Sequence, residues 1–321
     1  MARGKIFSTA RLDDYSERVL GEFGELVFAS DTRAGADRAD RQFYRFRGPR
    51  RNATGPSGGH QPLASAEGDR PHRRRLRQRR HCCRHGTQDS LIYTLGAGSR
   101  AVAEAAITFM LALCTMLPFW DRQLKTGNWK SRLEVQGRDL DGHTLGIIGL
   151  GRICQLLAEM ARPFNMNVIA YDPFVPQEQA AAVGVRIVEL DELFRTSDFV
   201  SIHCPPTSED KGLINRETLA RMKRGSYLVN LSRGSLVESL DALDEALESG
   251  RLAGVGLDVF DPAHPDVTHP IFKRENCLTS PHSMATTEGA LTRIFKSMAD
   301  DMAAVLRGER PKHVVNPEVF E

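Results

Sequence analysis

Residues 144–172 read TLGIIGLGRICQLLAEMARPFNMNVIAYD: an apolar run, a pair of glycines, a helical pattern, and a second apolar run that stops on an aspartate. Both runs are apolar throughout rather than alternating, so both faces must be covered, as for a strand inside a parallel sheet. Between them Ile153, Leu156, Leu157 and Met160 draw one apolar stripe along a helix. A strand, a crossover helix and a second parallel strand follow, and such a unit needs further strands beside it to hide its edges.

The glycines and the aspartate carry chemistry. Gly149 permits a tight turn, and Gly151 lets the backbone approach a pyrophosphate whose charge meets the amides at the helix N-terminus. The third glycine of the usual fingerprint is replaced by Cys154. That position serves helix-to-strand packing rather than phosphate contact, so a small thiol is compatible with the site. Asp172 lies 21 residues after Gly151, where a carboxylate can accept hydrogen bonds from the adenosine ribose, or simply end the strand in a turn. No basic residue follows in DPFVPQEQ to pair with a 2′-phosphate, so the expected cofactor is NAD rather than NADP.

The chain has 321 residues, more than one core usually organises, so two domains are expected. Residues 1–30 read as strand, helix, strand, around Lys5–Phe7, Asp13–Leu20 and Glu25–Ala29. After a helix at Arg100–Leu117, strands are expected at Thr144–Gly149, Asn167–Tyr171, Phe199–His203, Tyr227–Leu231, Gly254–Asp258 and Cys277–Ser280. Helices are expected at Arg152–Arg162, Arg216–Met222, Leu240–Ser249 and Glu288–Leu306. The alternation predicts an α/β fold with a doubly wound parallel sheet in a cofactor domain of residues 98–285, and a smaller α/β substrate domain from residues 1–97 plus 286–321.

One segment breaks the pattern. Residues 31–90 hold 15 Arg, no Lys, five Asp and one Glu, a balance of +9, against −7 for the remaining chain. They contain no Val or Ile, and their only aliphatics beyond Ala are Leu63 and Leu76, so no core strand is expected there. RPHRRRLRQRRHCCRH, from Arg70 to His85, lacks the interleaved aromatics of a nucleic-acid surface, and adjacent Cys82 and Cys83 do not suit a tetrahedral metal site. A GC-rich gene read in a shifted frame turns Ala, Gly and Val codons into Arg, Pro and Gly, so paired frame errors are the reading preferred here. The substrate domain is then disrupted at residues 31–90.

The six cysteines follow no disulfide or CxxC spacing, and the N-terminus has no apolar signal core, which points to the cytoplasm. The apolar stretch Ala101–Trp120 contains Glu104 and Pro118, so a buried helix is expected rather than a membrane span.

Beyond these local readings, TLGAGSRAVAE, LGIIGLGRI, VIAYDP, SIHCPPTSEDKGLIN, MKRGSYLVNLSRGSLVE, SGRLAGVGLDVFDP and LTSPHS stand in one order along residues 91–321. In this the chain resembles the D-isomer-specific 2-hydroxyacid dehydrogenases, the family of phosphoglycerate dehydrogenase and the hydroxypyruvate and glyoxylate reductases. The resemblance implies hydride transfer between NAD(H) and a small 2-hydroxy or 2-oxo acid. It makes Arg233 the cation on the substrate carboxylate and carbonyl, and His282 the acid/base for the carbonyl oxygen. It further implies that Arg152 and Ile153 contact the pyrophosphate, Cys204 and Pro205 line the adenosine side, Leu231 and Ser232 lie under the nicotinamide, and Asp258 faces its carboxamide. No metal is implied. A homodimer packed through the cofactor domain is, and the helix at Arg100–Leu117 suits that role.

The chain departs from the family twice. A glutamate usually stands five residues after the aspartate matched by Asp258 and keeps the histidine a usable acid; here that position is Ala263, followed by His264. Asp261, His264 and Asp266 are the nearby candidates to replace it, and spacing does not show whether any of them reaches His282. The family's carboxylate-binding glycine loop should fall within residues 31–90, where no counterpart is readable. Three functions remain open at this point: an NAD-dependent 2-hydroxyacid dehydrogenase, an NAD-binding relative with little or no turnover, and a nucleic-acid binder acting through its arginines, the last expected least.

Overall fold

The computed structural model describes residues 4–8, 12–28, 43–45, 90–133, 135–207 and 210–320. The chain divides into two compact units, Met1–Ala97 with Glu288–Glu321, and Gly98–Thr287.

The first unit opens with β1 (Gly4–Ser8), α1 (Asp14–Gly21) and β2 (Gly24–Phe28). The two strands pair in parallel. Asp13 caps α1 by accepting the Ser16 amide at 3.0 Å, and Asp14 and Glu17 meet the positive end of the helix. A short ladder follows, with β3 (Phe43–Arg45) antiparallel to β4 (Leu91–Tyr93). Within residues 31–90 no core strand was expected, and among the described residues there the only strand is this three-residue β3, in a two-stranded sheet. The Arg70–His85 run, with Cys82 and Cys83, lies outside the described residues, and so does the frame-error reading.

The second unit begins with α2 (Ser99–Cys114) and α3 (Leu117–Lys125). The continuous helix expected over Arg100–Leu117 breaks because Met116 adopts a left-handed φ of 57° and Pro118 starts a new helix, bent 55° from the first. Among the described residues no single helix is long and apolar enough to cross a membrane. Then come β5 (Thr144–Ile148), α4 (Arg152–Ala161), β6 (Asn167–Tyr171), α5 (Gln177–Ala181), β7 (Arg186–Ile187), α6 (Leu190–Thr196), β8 (Phe199–Ile202), α7 (Arg216–Arg221), β9 (Ser226–Asn230), α8 (Leu240–Glu248), β10 (Leu252–Leu257) and β11 (Cys277–Thr279). The sequence reading had no counterpart for α5, β7 and α6, whose apolar patterns are too short to show a period.

The seven strands form one parallel sheet in the order β11-β10-β9-β8-β5-β6-β7. The order reverses between β5 and β8, and a crevice for a ligand opens at such a switch point. One face of the sheet packs Leu145, Phe199 and Val229 under Phe109 and Met110 of α2 and Leu157 of α4. The other packs Val200, Leu228 and Val255 under Phe194 of α6, Leu219 of α7 and Leu243 of α8. With helices on both faces, the apolar runs without alternation are explained.

The chain then returns to the first unit as α9 (Glu288–Leu306), whose Met298, Ala299 and Met302 pack with Ile6, Leu20 and Ile92. Asp301, at the buried side of α9, accepts the Lys312 amide at 2.7 Å and pairs with His313 Nδ1 at 2.8 Å, which draws the C-terminal segment back to β4.

Candidate active site

Gly149 follows β5 with φ of 89°, donates its amide to Tyr171 O at 2.8 Å, and lies so close to the Cys204 backbone that a Cβ would come within 3.0 Å of it. Glycine is required there on both counts. Gly151 differs: its φ is −82°, and a Cβ built on it meets nothing within 4 Å. The space above it is open, and below it the first-turn amides of α4 have no side-chain cap. An exposed Arg152 stands beside this opening. A pyrophosphate fits this cradle by charge and by room. Cys154 is buried where α4 packs on the sheet, and burial raises its thiol far above the ordinary value. It is a packing group, as expected for the third position, and Ile153 beside it packs partly on the same core.

Asp172 ends β6. Its Oδ2 accepts the Leu150 amide at 2.7 Å and its Oδ1 the Phe174 amide at 2.9 Å. The carboxylate therefore closes the glycine turn and its own loop, and each oxygen keeps a lone pair for another donor. The two readings of Asp172, turn residue and ribose acceptor, are compatible. Across the switch point Cys204 is half-buried, with burial pushing its thiol up to about 12, and Pro205 is exposed beside it.

The remaining candidates cluster after the neighbouring strands β9, β10 and β11. Leu231 and Ser232 are buried just past β9, and Ser232 Oγ donates to Cys204 O at 2.5 Å, tying this turn to the floor of the cofactor crevice. Arg233 has ordinary extended backbone, and its Nη1 donates to Ser232 O at 2.5 Å. Asp258, directly after β10, is buried, and its Oδ1 accepts Ser280 Oγ at 2.6 Å, the Ser283 amide at 2.9 Å and the Met284 amide at 3.2 Å. These three bonds bracket His282, which adopts a left-handed φ of 57°.

Two residues of this arrangement were not singled out from the sequence. Asn230, the last residue of β9, is fully buried and bonds both Ser232 N and Arg233 O through its side chain. Gly234 lies against the Phe260–Asp261 peptide, where any Cβ would collide with backbone. Both belong to the quoted VNLSRG, yet only the fold shows what they touch.

Residues 107–284 match the family described as D-isomer specific 2-hydroxyacid dehydrogenase, NAD binding domain. The chain belongs to that family. Its glyoxylate reductase from Korarchaeum cryptofilum is 38% identical over 233 residues, 71% of this chain and 69% of that protein. The D-3-phosphoglycerate dehydrogenase of Archaeoglobus fulgidus is 38% identical over 221 residues, 69% of this chain but 42% of that protein, so the chain spans less than half the length of this longer relative. Among solved structures, the D-lactate dehydrogenase of Aquifex aeolicus complexed with NAD and lactic acid superposes with a TM-score of 0.64 at 30% identity, covering 72% of each chain.

Ala263 is exposed, as are Asp261 and His264, and Asp266 is committed to its own loop, its Oδ1 accepting Thr268 N at 2.9 Å and Thr268 Oγ1 at 2.7 Å. Among the described residues no three His, Cys, Asp or Glu side chains converge as a metal site.

Proposed function

We propose that this 2-hydroxyacid dehydrogenase family member interconverts a small D-2-hydroxy acid and its 2-oxo acid with NAD(H). The observation that carries the reading is the convergence of Arg233, Asp258 and His282 on the turns after three adjacent strands, at the same end of the sheet as the Gly149–Gly151 turn. The open space over Gly151, the uncapped amides of α4 and the Asp172 carboxylate fit the dinucleotide. When bound, its nicotinamide supplies or accepts the hydride. Arg233 binds the carboxylate of the substrate and polarises its carbonyl. In reduction His282 donates a proton to the carbonyl oxygen as that oxygen gains charge, and in oxidation it takes the hydroxyl proton. Gly98–Thr287 acts as the cofactor domain and the first unit as the substrate domain.

The decisive experiment is an NADH-oxidation screen with glyoxylate, hydroxypyruvate, pyruvate and phosphohydroxypyruvate, run beside a direct NADH titration. Turnover of one of them that is lost in Arg233→Ala and His282→Ala supports the reading. NADH binding without turnover of any 2-oxo acid replaces it with that of a cofactor-binding relative, which the exposed Ala263 favours.

The assembly we propose is a cytoplasmic homodimer. Nine residues of α2 are buried, and its outer face carries Arg100 and Glu104, so α3 and the segment after it are better suited to the contact. Leu117, Leu124, Trp129 and Leu133 stand there 60–81% exposed. Trp129→Asp with Leu133→Asp should halve the mass measured by sedimentation.

A further inference from the structure

We infer that the side-chain amide of Asn230 positions Arg233, and that Asn230 and Asp258 together tie the Arg233 turn to the His282 turn. The inference rests on the activity proposed above, and begins from a burial problem. Asn230 is 0% exposed at the end of β9, and a buried amide is costly unless its donor and acceptor both find partners. Both do, within three residues. Oδ1 accepts Ser232 N at 3.0 Å and Nδ2 donates to Arg233 O at 2.9 Å, so the amide closes a ring around the peptide that carries Arg233. Aspartate offers acceptors only, serine is too short, and glutamine is a methylene too long to close it.

The turn is held from three other sides. Ser232 Oγ reaches Cys204 O, Gly234 lies against the Phe260–Asp261 peptide, and the main-chain carbonyl of Asn230 accepts the Asp258 amide at 3.1 Å. Arg233 itself has extended backbone with φ of −146°, which any residue adopts. Its placement is therefore set by hydrogen bonds around it, not by local strain. His282 is the opposite case. Its φ of 57° is disfavoured for a residue with a Cβ and persists only where its surroundings over-determine it, which the three bonds to Asp258 Oδ1 do. The cation and the acid/base are thus held by two buried polar side chains that share one backbone hydrogen bond, so a shift of one turn is passed to the other. Substrate chemistry is sensitive to displacements of an ångström.

The test compares Asn230→Asp and Asn230→Ala with the unmutated protein. Both variants lose the bond to Arg233 O, but only Asn230→Ala loses the bond to Ser232 N. The expected result is a KM for the 2-oxo acid raised about tenfold or more in both. A matching loss of oxamate affinity for the NADH complex should accompany it, with the NADH dissociation constant within about twofold of the original in Asn230→Asp, which keeps the bond to Ser232 N. Hydrogen exchange of the peptide spanning residues 231–236, measured without ligands, should accelerate in Asn230→Ala and less in Asn230→Asp. Unchanged KM and oxamate affinity in Asn230→Asp overturn the inference, as does unchanged exchange in Asn230→Ala. If the unmutated protein neither binds oxamate nor turns over any 2-oxo acid, the proposed activity fails instead, and the exchange result still decides whether Asn230 holds the turn.

Discussion

Asp172 and Leu150 are 22 positions apart in the chain and 2.7 Å apart in the fold, the carboxylate of one accepting the amide of the other across the glycine turn. A residue that the sequence marks for ribose recognition is also the clasp of the loop that would cradle the phosphates. Asp172→Ala should weaken NADH binding by about 1–3 kcal/mol, the scale for hydrogen bonds to a charged group. Asp172→Asn keeps an acceptor for Leu150 and should retain more of the affinity. Fluorescence titration with NADH and NADPH measures both effects; an unmutated protein that holds NADPH as tightly as NADH contradicts the assignment.

Gly234→Ala should be among the most damaging single methyl groups in the second unit. The Cβ would fall on the Phe260–Asp261 peptide, and neither backbone can move without disturbing Arg233 or Asp258. A loss of about 1–3 kcal/mol of stability is expected from overpacking, together with a raised KM for the 2-oxo acid. Thermal unfolding and steady-state kinetics of the same preparation check the two effects.

Ala263→Glu should raise the rate of 2-oxo acid reduction and extend it to higher pH. A carboxylate beside an imidazole favours the imidazolium, the form that donates the proton, and Asp266 has one of its oxygens engaged within its own loop by Thr268. The pH profile of kcat/KM is the measurement. A profile identical to that of the unmutated protein, with activity still dependent on His282, assigns the role to another group.

Acid should destabilise the second unit through His203. Burial pulls its imidazole from 6.5 down to about 4, with Nε2 against Ser201 Oγ at 2.8 Å. Between those two pH values the unfolded chain binds a proton that the folded chain refuses. Folding stability therefore falls as the pH drops from 6.5 towards 4, by about 3 kcal/mol across the whole window. His203→Gln removes the titration, and its denaturation midpoints at pH 7 and pH 4.5 should lie closer together than those of the unmutated protein. An equal separation would place the acid sensitivity elsewhere.

The apolar runs within 144–148, 167–171, 199–202 and 226–230 were legible as parallel strands because burial on both faces leaves consecutive apolar residues at the centre of each strand. The glycine turn was legible because Gly149 answers a backbone requirement that no other residue meets. Asp172 could be named from its place at the end of a strand, whereas Arg233 and His282, each of which alone looks like a surface or turn residue, were named from the motifs shared with the family. Their mutual arrangement could not be read in either way, because it depends on strand order, which brings the ends of β9, β10 and β11 side by side from positions up to fifty residues apart. Asn230 shows the limit: a polar residue ending an apolar strand looks like any turn residue in a string of letters. Only the packed sheet buries it, and burial is what forces its amide to find Ser232 and Arg233. Local pattern and residue type marked six of the seven strands and the glycine turn, the two-residue β7 being too short to show a period, while Arg233 and His282 stood out as candidates only through the family motifs. The tertiary structure decided which of them meet, because hydrogen bonds between strand ends exist only once the sheet has chosen its order.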